Sequence, residues 1–442
     1  MGIRSKHLLV GAVAGLLACP AVTLATNGYF AIGYGAAAEG MGGAAVAFPQ
    51  DAMSAAANPA TLGDVGIRFD IGVGLFDARR CSGEVGLFAG NADSAGKANC
   101  SKSGVDTFIV PGMGFSFAFN DQLSIGFAAV GNGGMNTTYN PNFFSRGGAT
   151  PYLGVDMVQL FVPITASWKF NPTHTVGFSI VPARQRFLAQ GLQAFTSYSS
   201  DPDHLTNKGH DYANGLGTRV GWLGHFMEDK LTLGATYASK VYMQKFKLYK
   251  GLFAEGGSFD VPANYAVGVG YKVTPEVALA MDVQRILYSG VPSVGNIGPT
   301  NILYSGDAIY DSANHQLGNR NGMGFGWKDQ TVYKLGVRYK PNDKWTLRAG
   351  YNYGKSPVQD SQLLFNLLAP GVVEKHATFG FTYNLGEQSI LGFGSEGEFT
   401  FSYIHAFKKR QQATLLFDNT TPVTAVAEMF QNAVTLAYTL KF

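Results

Sequence analysis

The stretch AGYNYGKS, residues 349 to 356, has the glycine and lysine spacing of a permissive phosphate-binding loop. A working loop of that kind needs a helix directly after the lysine, so that successive N–H groups can cradle phosphate. Here Pro357 follows, and an apolar alternation runs straight through Tyr351 and Tyr353. The match is coincidental. Ser402 and His405 are the residue types of a nucleophile and its base. Three positions apart on one strand, they fall on opposite faces. His204 and His210 share a stretch with Asp201, Asp203 and Asp211. That group suits a bound cation or, equally, a solvated loop. The sequence as a whole asks for no cofactor and no metal, and it does not read as an enzyme.

The cysteines carry a different chemistry. Arg4 and Lys6 precede an apolar run, Leu8 to Ala18, and Thr23-Leu24-Ala25 ends in small residues. This is the pattern of a secretory signal peptide over residues 1–25, cleaved before Thr26. The apolar run is shorter than the roughly 20 residues a spanning helix needs. Cys19 would leave with the signal. Cys81 and Cys100 would remain, close together in a Gly/Asn/Ser-rich stretch and in an oxidising compartment. The expectation is a disulfide between them, outside the sheet and tying down the first long loop.

Composition narrows the fold. Charged residues make up 14% of the chain and aromatics 13%, with 57 glycines. An average soluble domain carries roughly 25% charge. Mean hydropathy is only +0.03, too low for a bundle of membrane helices. A net charge of +3 gives no reason to expect a nucleic-acid partner. Apolar and small or polar residues alternate in fourteen segments. RFDIGVGLF puts Phe69, Ile71, Val73 and Leu75 on one face and Arg68, Asp70, Gly72 and Gly74 on the other. The gaps after even segments are short, such as NDQ at 120–122 and PNDK at 341–344. An apparent ten-residue turn near 386–395 is the exception. Gaps after odd segments are long. Short turns on one side and long loops on the other are the signature of an outer-membrane barrel. The fold class read from this is all-β: a 14-stranded antiparallel transmembrane β-barrel, with both ends on the periplasmic side.

The residues before the barrel, 26–66, are too few to bury a core of their own. They are rich in Gly and Ala and poor in charge. Short helices are expected over Ala36–Ala38 and Ala52–Ala57, packed inside the barrel as a plug. A lumen of fourteen strands is too wide for side chains alone to fill. The domain plan is therefore a signal peptide at 1–25, an N-terminal small-helix hatch at 26–66 and a barrel at 67–442.

The segment TNGYFAIGYGAAAEGMGGAAVAFPQDAMSAAANPA, Thr26 to Ala60, resembles the hatch of the FadL/TodX family of outer-membrane transporters for hydrophobic compounds. The family's Asn-Pro-Ala falls at Asn58, Pro59 and Ala60. The likeness runs on through SYIHAFKK at 402–409 to Phe442. It implies a monomeric plugged barrel set in outer-membrane lipid and lipopolysaccharide. It also implies uptake of a hydrophobic small molecule, either a long-chain fatty acid or an aromatic hydrocarbon; with no nucleotide site or energy-coupling motif in the sequence, that uptake is expected to be passive. Release would be sideways, at an inward kink in the third strand. Gly126, Gly131, Gly133 and Gly134 are the candidates for that kink, and Asn58-Pro59-Ala60 is expected to meet the kinked strand as a gate.

Lumen-facing charges are expected at Arg68, Asp70, Asp282, Lys334, Arg338, Arg348 and Glu398. They would form salt bridges to the plug or a polar lining. Alternatively Lys334, Arg338 or Arg348 would meet a ligand's carboxylate head group. Two other functions fit a barrel: a general polar porin, with an open lumen, and a surface receptor or adhesin, with its work in the loops.

The disulfide is directly testable. Non-reducing mass spectrometry of the purified protein should find the Cys81 and Cys100 peptides linked, and two alkylatable thiols would refute the pairing. Replacing both cysteines should leave the barrel folded.

Overall fold

Fourteen antiparallel strands close on themselves in a computed structural model that describes residues 27–86, 99–145, 150–298, 315–390, 393–416 and 422–442. The predicted signal peptide lies outside the described residues. The strands are β1 (Arg68–Val85), β2 (Thr107–Ala118), β3 (Leu123–Tyr139), β4 (Leu153–Phe161 and Ile164–Asn171), β5 (His174–Gln190), β6 (Asp211–Phe226) and β7 (Leu231–Ala238). The second half comprises β8 (Asn264–Lys272), β9 (Val277–Ile286), β10 (Gln330–Tyr339), β11 (Trp345–Gly354), β12 (Lys375–Ile390), β13 (Phe393–Leu416) and β14 (Pro422–Lys441). Each pairs with the next, and β1 closes the ring by pairing with β14 from Arg68↔Lys441 to Val85↔Thr424. Closure pairs the first strand with the last, so neither terminal strand presents a free edge to lipid.

Period 2 sorts the side chains as the sequence predicts. Ile71, Val73 and Leu75 are 43–53% exposed and form part of the lipid face, while Arg68 and Asp70 are 5% and 1% exposed. On β8 the outward Tyr265 and Tyr271 bracket the apolar Val267 and Val269. Aromatic side chains at both interfaces with an apolar band between them are the pattern of an outer-membrane wall.

Two boundaries differ from expectation. The supposed turn near 386–395 is a continuation of the β12–β13 hairpin, paired from Gly386↔Gly397 to Ile390↔Phe393. On the long-loop side several strands also run on, β13 as far as Leu416 and β14 from Pro422. Beyond the lipid no apolar face is needed, so alternation fades while backbone pairing continues. For the same reason Cys81 is not in a loop. It lies in the extension of β1, paired with Glu428 and Lys102, and its disulfide to Cys100 has a Cα–Cα distance of 5.2 Å.

Residues 27–65 sit against the inner wall. They contain one α-helical turn, Ala36–Glu39, and two 3-10 helices, Ala52–Ala56 and Pro59–Asp64. Asp51 caps the first 3-10 helix by accepting from Ser54 N. Pro59 begins the second one, at the position where its missing N–H costs nothing.

Candidate functional site

With so little regular structure, the hatch must find partners for its backbone elsewhere. The wall supplies them. Asp282 of β9 accepts from Ala45 N and Val46 N at 2.8 and 3.0 Å. Lys334 of β10 donates to Ile32 O at 3.0 Å. Asp70 of β1 accepts from Ala52 N at 2.8 Å and is paired with Arg68, whose other arm donates to Gln50 O. Arg348 of β11 donates to Gln50 Oε1 at 2.6 Å. Arg219 of β6 donates to Ala57 O at 2.9 Å, a tie that no motif announced.

The three candidate head-group cations are therefore all engaged by the hatch. Arg338 lies over the Phe48 ring, 4.9 Å from its centroid, and Lys334 and Arg348 hold hatch oxygens. Glu398 pairs with Lys441. The histidines are not gathered either: His204 bonds Asp201, while His210 bonds Asp156.

Asn58, Pro59 and Ala60 do not sit at the kink, contrary to the sequence expectation. Asn58 is fully buried and donates to Val46 O and to Trp222 O of β6, while its Oδ1 accepts from Ala60 N. The motif presses on Gly221 of β6 and Gly177 of β5. A Cβ at Gly221 would lie 1.9 Å from Asn58 Oδ1, and one at Gly177 would lie 2.3 Å from Ala60 N. Two glycines facing each other on adjacent strands make the flat seat that an Asn-Pro turn needs. The seat, not the kink, explains the motif's residue types.

The kink itself is in β3. Its lower part, Ser124–Ala129, pairs with β2 in register, Gly126 opposite Ser116. Beyond Ala129 it leaves β2. The register against β4 shifts between Gly131 and Gly133, so Asn132 is a one-residue bulge flanked by Gly131, Gly133 and Gly134. Gly126 takes no part. The hatch bonds the bulge through other residues than those expected. Ala31 N donates to Asn132 O at 2.7 Å, Tyr34 OH to Asn132 Oδ1 at 2.7 Å, and Asn132 Nδ2 to Gln159 Oε1 at 2.9 Å.

The departure of β3 leaves an opening in the wall. Residues Thr107–Gly112 of β2 pair with β1 only, and Val130–Thr137 of β3 pair with β4 only. The opening ends above where Gly104 N donates to Thr138 O. Six residues at about 3.3 Å each make it roughly 20 Å long. Pro111, which has no backbone donor to leave unpaired, lies in the unpaired stretch. A cavity fills the inner side of the opening, lined by Val110, Pro111 and Gly112 of β2, Val130 and Gly131 of β3, and Tyr34, Glu39 and Met53 of the hatch.

A second, almost wholly apolar cavity lies under the long loops, lined by Met135, Val155, Phe187, Leu252, Phe253, Met323, Phe325, Phe365 and Leu368, with Ser293. Between the two stand an aromatic cluster and the bulge. Phe325 and Phe253 touch Trp327 and Phe259, and both of these pack on Tyr29 of the hatch. To the centre of a water molecule the lower cavity offers about 30 Å³ and the upper about 20 Å³. That is room for a water or two. A larger apolar molecule fits only when side chains or hatch give way.

A closed fourteen-stranded barrel with an apolar outer face, its inner wall bonded to residues 27–65, defines an outer-membrane protein. The family model described as outer membrane protein transport protein (OMPP1/FadL/TodX) matches residues 17–442, and the chain belongs to that family of transporters for hydrophobic compounds. It is 24% identical over 356 residues to the long-chain fatty acid transport protein of Escherichia coli O6:H1 (strain CFT073), covering 72% of this chain and 74% of that protein. Its fold resembles a Pseudomonas aeruginosa FadL homologue (TM-score 0.68, 17% identity, 94% of this chain and 99% of the other). It also resembles the Pseudomonas putida toluene transporter TodX (TM-score 0.65, 19% identity, 93% and 99%).

Asn58→Ala would leave the buried Val46 carbonyl and Ala60 N–H without this partner, each at about 1–3 kcal/mol, and would take one donor from the half-buried Trp222 carbonyl. The loss should loosen the hatch and not the barrel. The variant should keep its heat-resistant folded form on gels and conduct more ions than wild type in planar bilayers. A folded variant as tight as wild type would remove Asn58 from the hatch's anchorage.

Proposed function

We propose that the protein is a passive channel. A hydrophobic small molecule enters under the long loops, passes the hatch beside the β3 bulge, and leaves sideways through the opening between β2 and β3 into the membrane. The observation that carries this reading is the unpaired stretch Thr107–Gly112 facing Val130–Thr137, with a cavity directly behind it. Met135 lines the upper cavity and Val130 and Gly131 the lower one, so a single strand runs past both. The driving term is transfer of apolar surface from water to an apolar site and then to lipid, worth roughly 25 cal/mol per Å². No step in that sequence consumes energy from another source. The hatch filling the lumen argues against a general polar porin. The ligands named for the relatives, long-chain fatty acids and toluene, set the range of candidates.

Deleting Asn132 tests the route. Without the extra residue β3 loses its bulge, and pairing with β2 can continue past Ala129. Vesicles containing the wild-type protein should take up toluene faster than protein-free vesicles, without ATP or a proton gradient. The deletion variant, still heat-resistant on gels, should lose most of that uptake. Undiminished uptake would rule out the side opening as the exit, and an absolute need for ATP or a proton gradient in the wild type would rule out passive transport.

A further inference from the structure

Glu39 is a carboxyl placed on a path whose other features suit apolar molecules. It is the last residue of the helical turn Ala36–Glu39 and is 4% exposed. It lines the cavity behind the opening, together with Tyr34, Val110, Gly112, Val130 and Thr435. Ser402 of β13 donates to its Oε2 at 2.8 Å, and Thr435 lies beside it. It is the one ionisable carboxyl or cation among the residues lining either cavity. Arg219 of β6 neighbours Tyr34 and holds Ala57 O. Lys334 and Arg348 are engaged elsewhere on the hatch.

We infer that Glu39 sets the charge selectivity of the exit: it turns away ligands that carry a carboxylate and lets neutral apolar molecules pass. The inference rests on the channel reading above and names the ligand class of that same path.

Two carboxyl groups in one desolvated site cannot both stay ionised cheaply. Burial already pushes the Glu39 carboxyl above its ordinary range. An arriving carboxylate must face the Glu39 charge, or one of the two carboxyls must take up a proton. Either costs the anionic ligand, and neither affects a neutral molecule of the same length. A cation in the same position would have the opposite effect, and Arg219, Lys334, Arg338 and Arg348 are engaged by the plug instead.

The test compares 1-dodecanol with dodecanoate, a neutral and an anionic ligand of equal chain length. Equilibrium binding to purified full-length protein is measured at a pH where dodecanoate is ionised. Glu39→Gln keeps the acceptor that Ser402 uses and removes the charge. It should raise dodecanoate affinity about tenfold, the order expected for one close like-charge contact, and leave dodecanol affinity within about twofold. Glu39→Ala is the second variant, should Glu39→Gln not fold, and should shift dodecanoate in the same direction. Dodecanoate affinity unchanged in a folded variant that still binds dodecanol would overturn the inference. Wild-type protein that binds neither ligand would overturn the channel reading itself.

Discussion

About forty residues with scarcely any helix or sheet of their own must still satisfy every N–H and C=O they carry inside a membrane. The rest of the structure depends on that constraint. The barrel's inner face meets it with charged and amide side chains aimed at the hatch backbone: Asp70, Asp282, Lys334, Arg219 and Arg348. Small residues follow from the same demand. Wherever hatch and wall bring backbones into contact, as at Gly177 and Gly221, a side chain would occupy the space the hatch fills. The lumen's polarity is thus largely directed at the plug, and the space left under the long loops is almost wholly apolar.

The second consequence concerns β3. One extra residue at Asn132 does three things together. It parts β3 from β2, it turns the strand along both cavities, and it presents a carbonyl and a side-chain oxygen to Ala31 and Tyr34. The hatch is therefore fastened to the strand that forms the opening. A movement of residues 27–34 cannot leave that strand's bonding unchanged. The aromatic cluster around Tyr29, with Tyr288 OH donating to Asn27 O at 2.5 Å, anchors the same short segment from above.

Most of the barrel was legible because lipid imposes a strict period. Wherever one face meets hydrocarbon, as in Ile71, Val73 and Leu75, alternation gave the strand and its orientation. It failed where lipid stops, at the β12–β13 hairpin and the outer ends of β1, β13 and β14, since pairing there needs no apolar face. The plug's presence was readable from small residues and low charge, its docking was not. Asn58 was assigned to the kinked strand, yet its glycine seat lies on β5 and β6, and only the assembled barrel brings Gly177 and Gly221 together. Four glycines were candidates for the kink. Three of them flank the bulge, whose own residue, Asn132, gives no signal in a sequence read for glycine alone. Glu39 passed as one more hatch residue, because its significance comes from a cavity made by five separate segments.

The central claim is that Lys334, Arg338 and Arg348 hold the plug and do not bind ligand. Lys334→Met tests it most directly, with ion conductance in planar bilayers and dodecanoate affinity measured on the same folded preparation. Loss of the bond to Ile32 O should raise conductance and leave dodecanoate affinity no weaker than in wild type. Unchanged conductance together with a large loss of dodecanoate affinity would contradict the account and return Lys334 to the role of a ligand-binding cation.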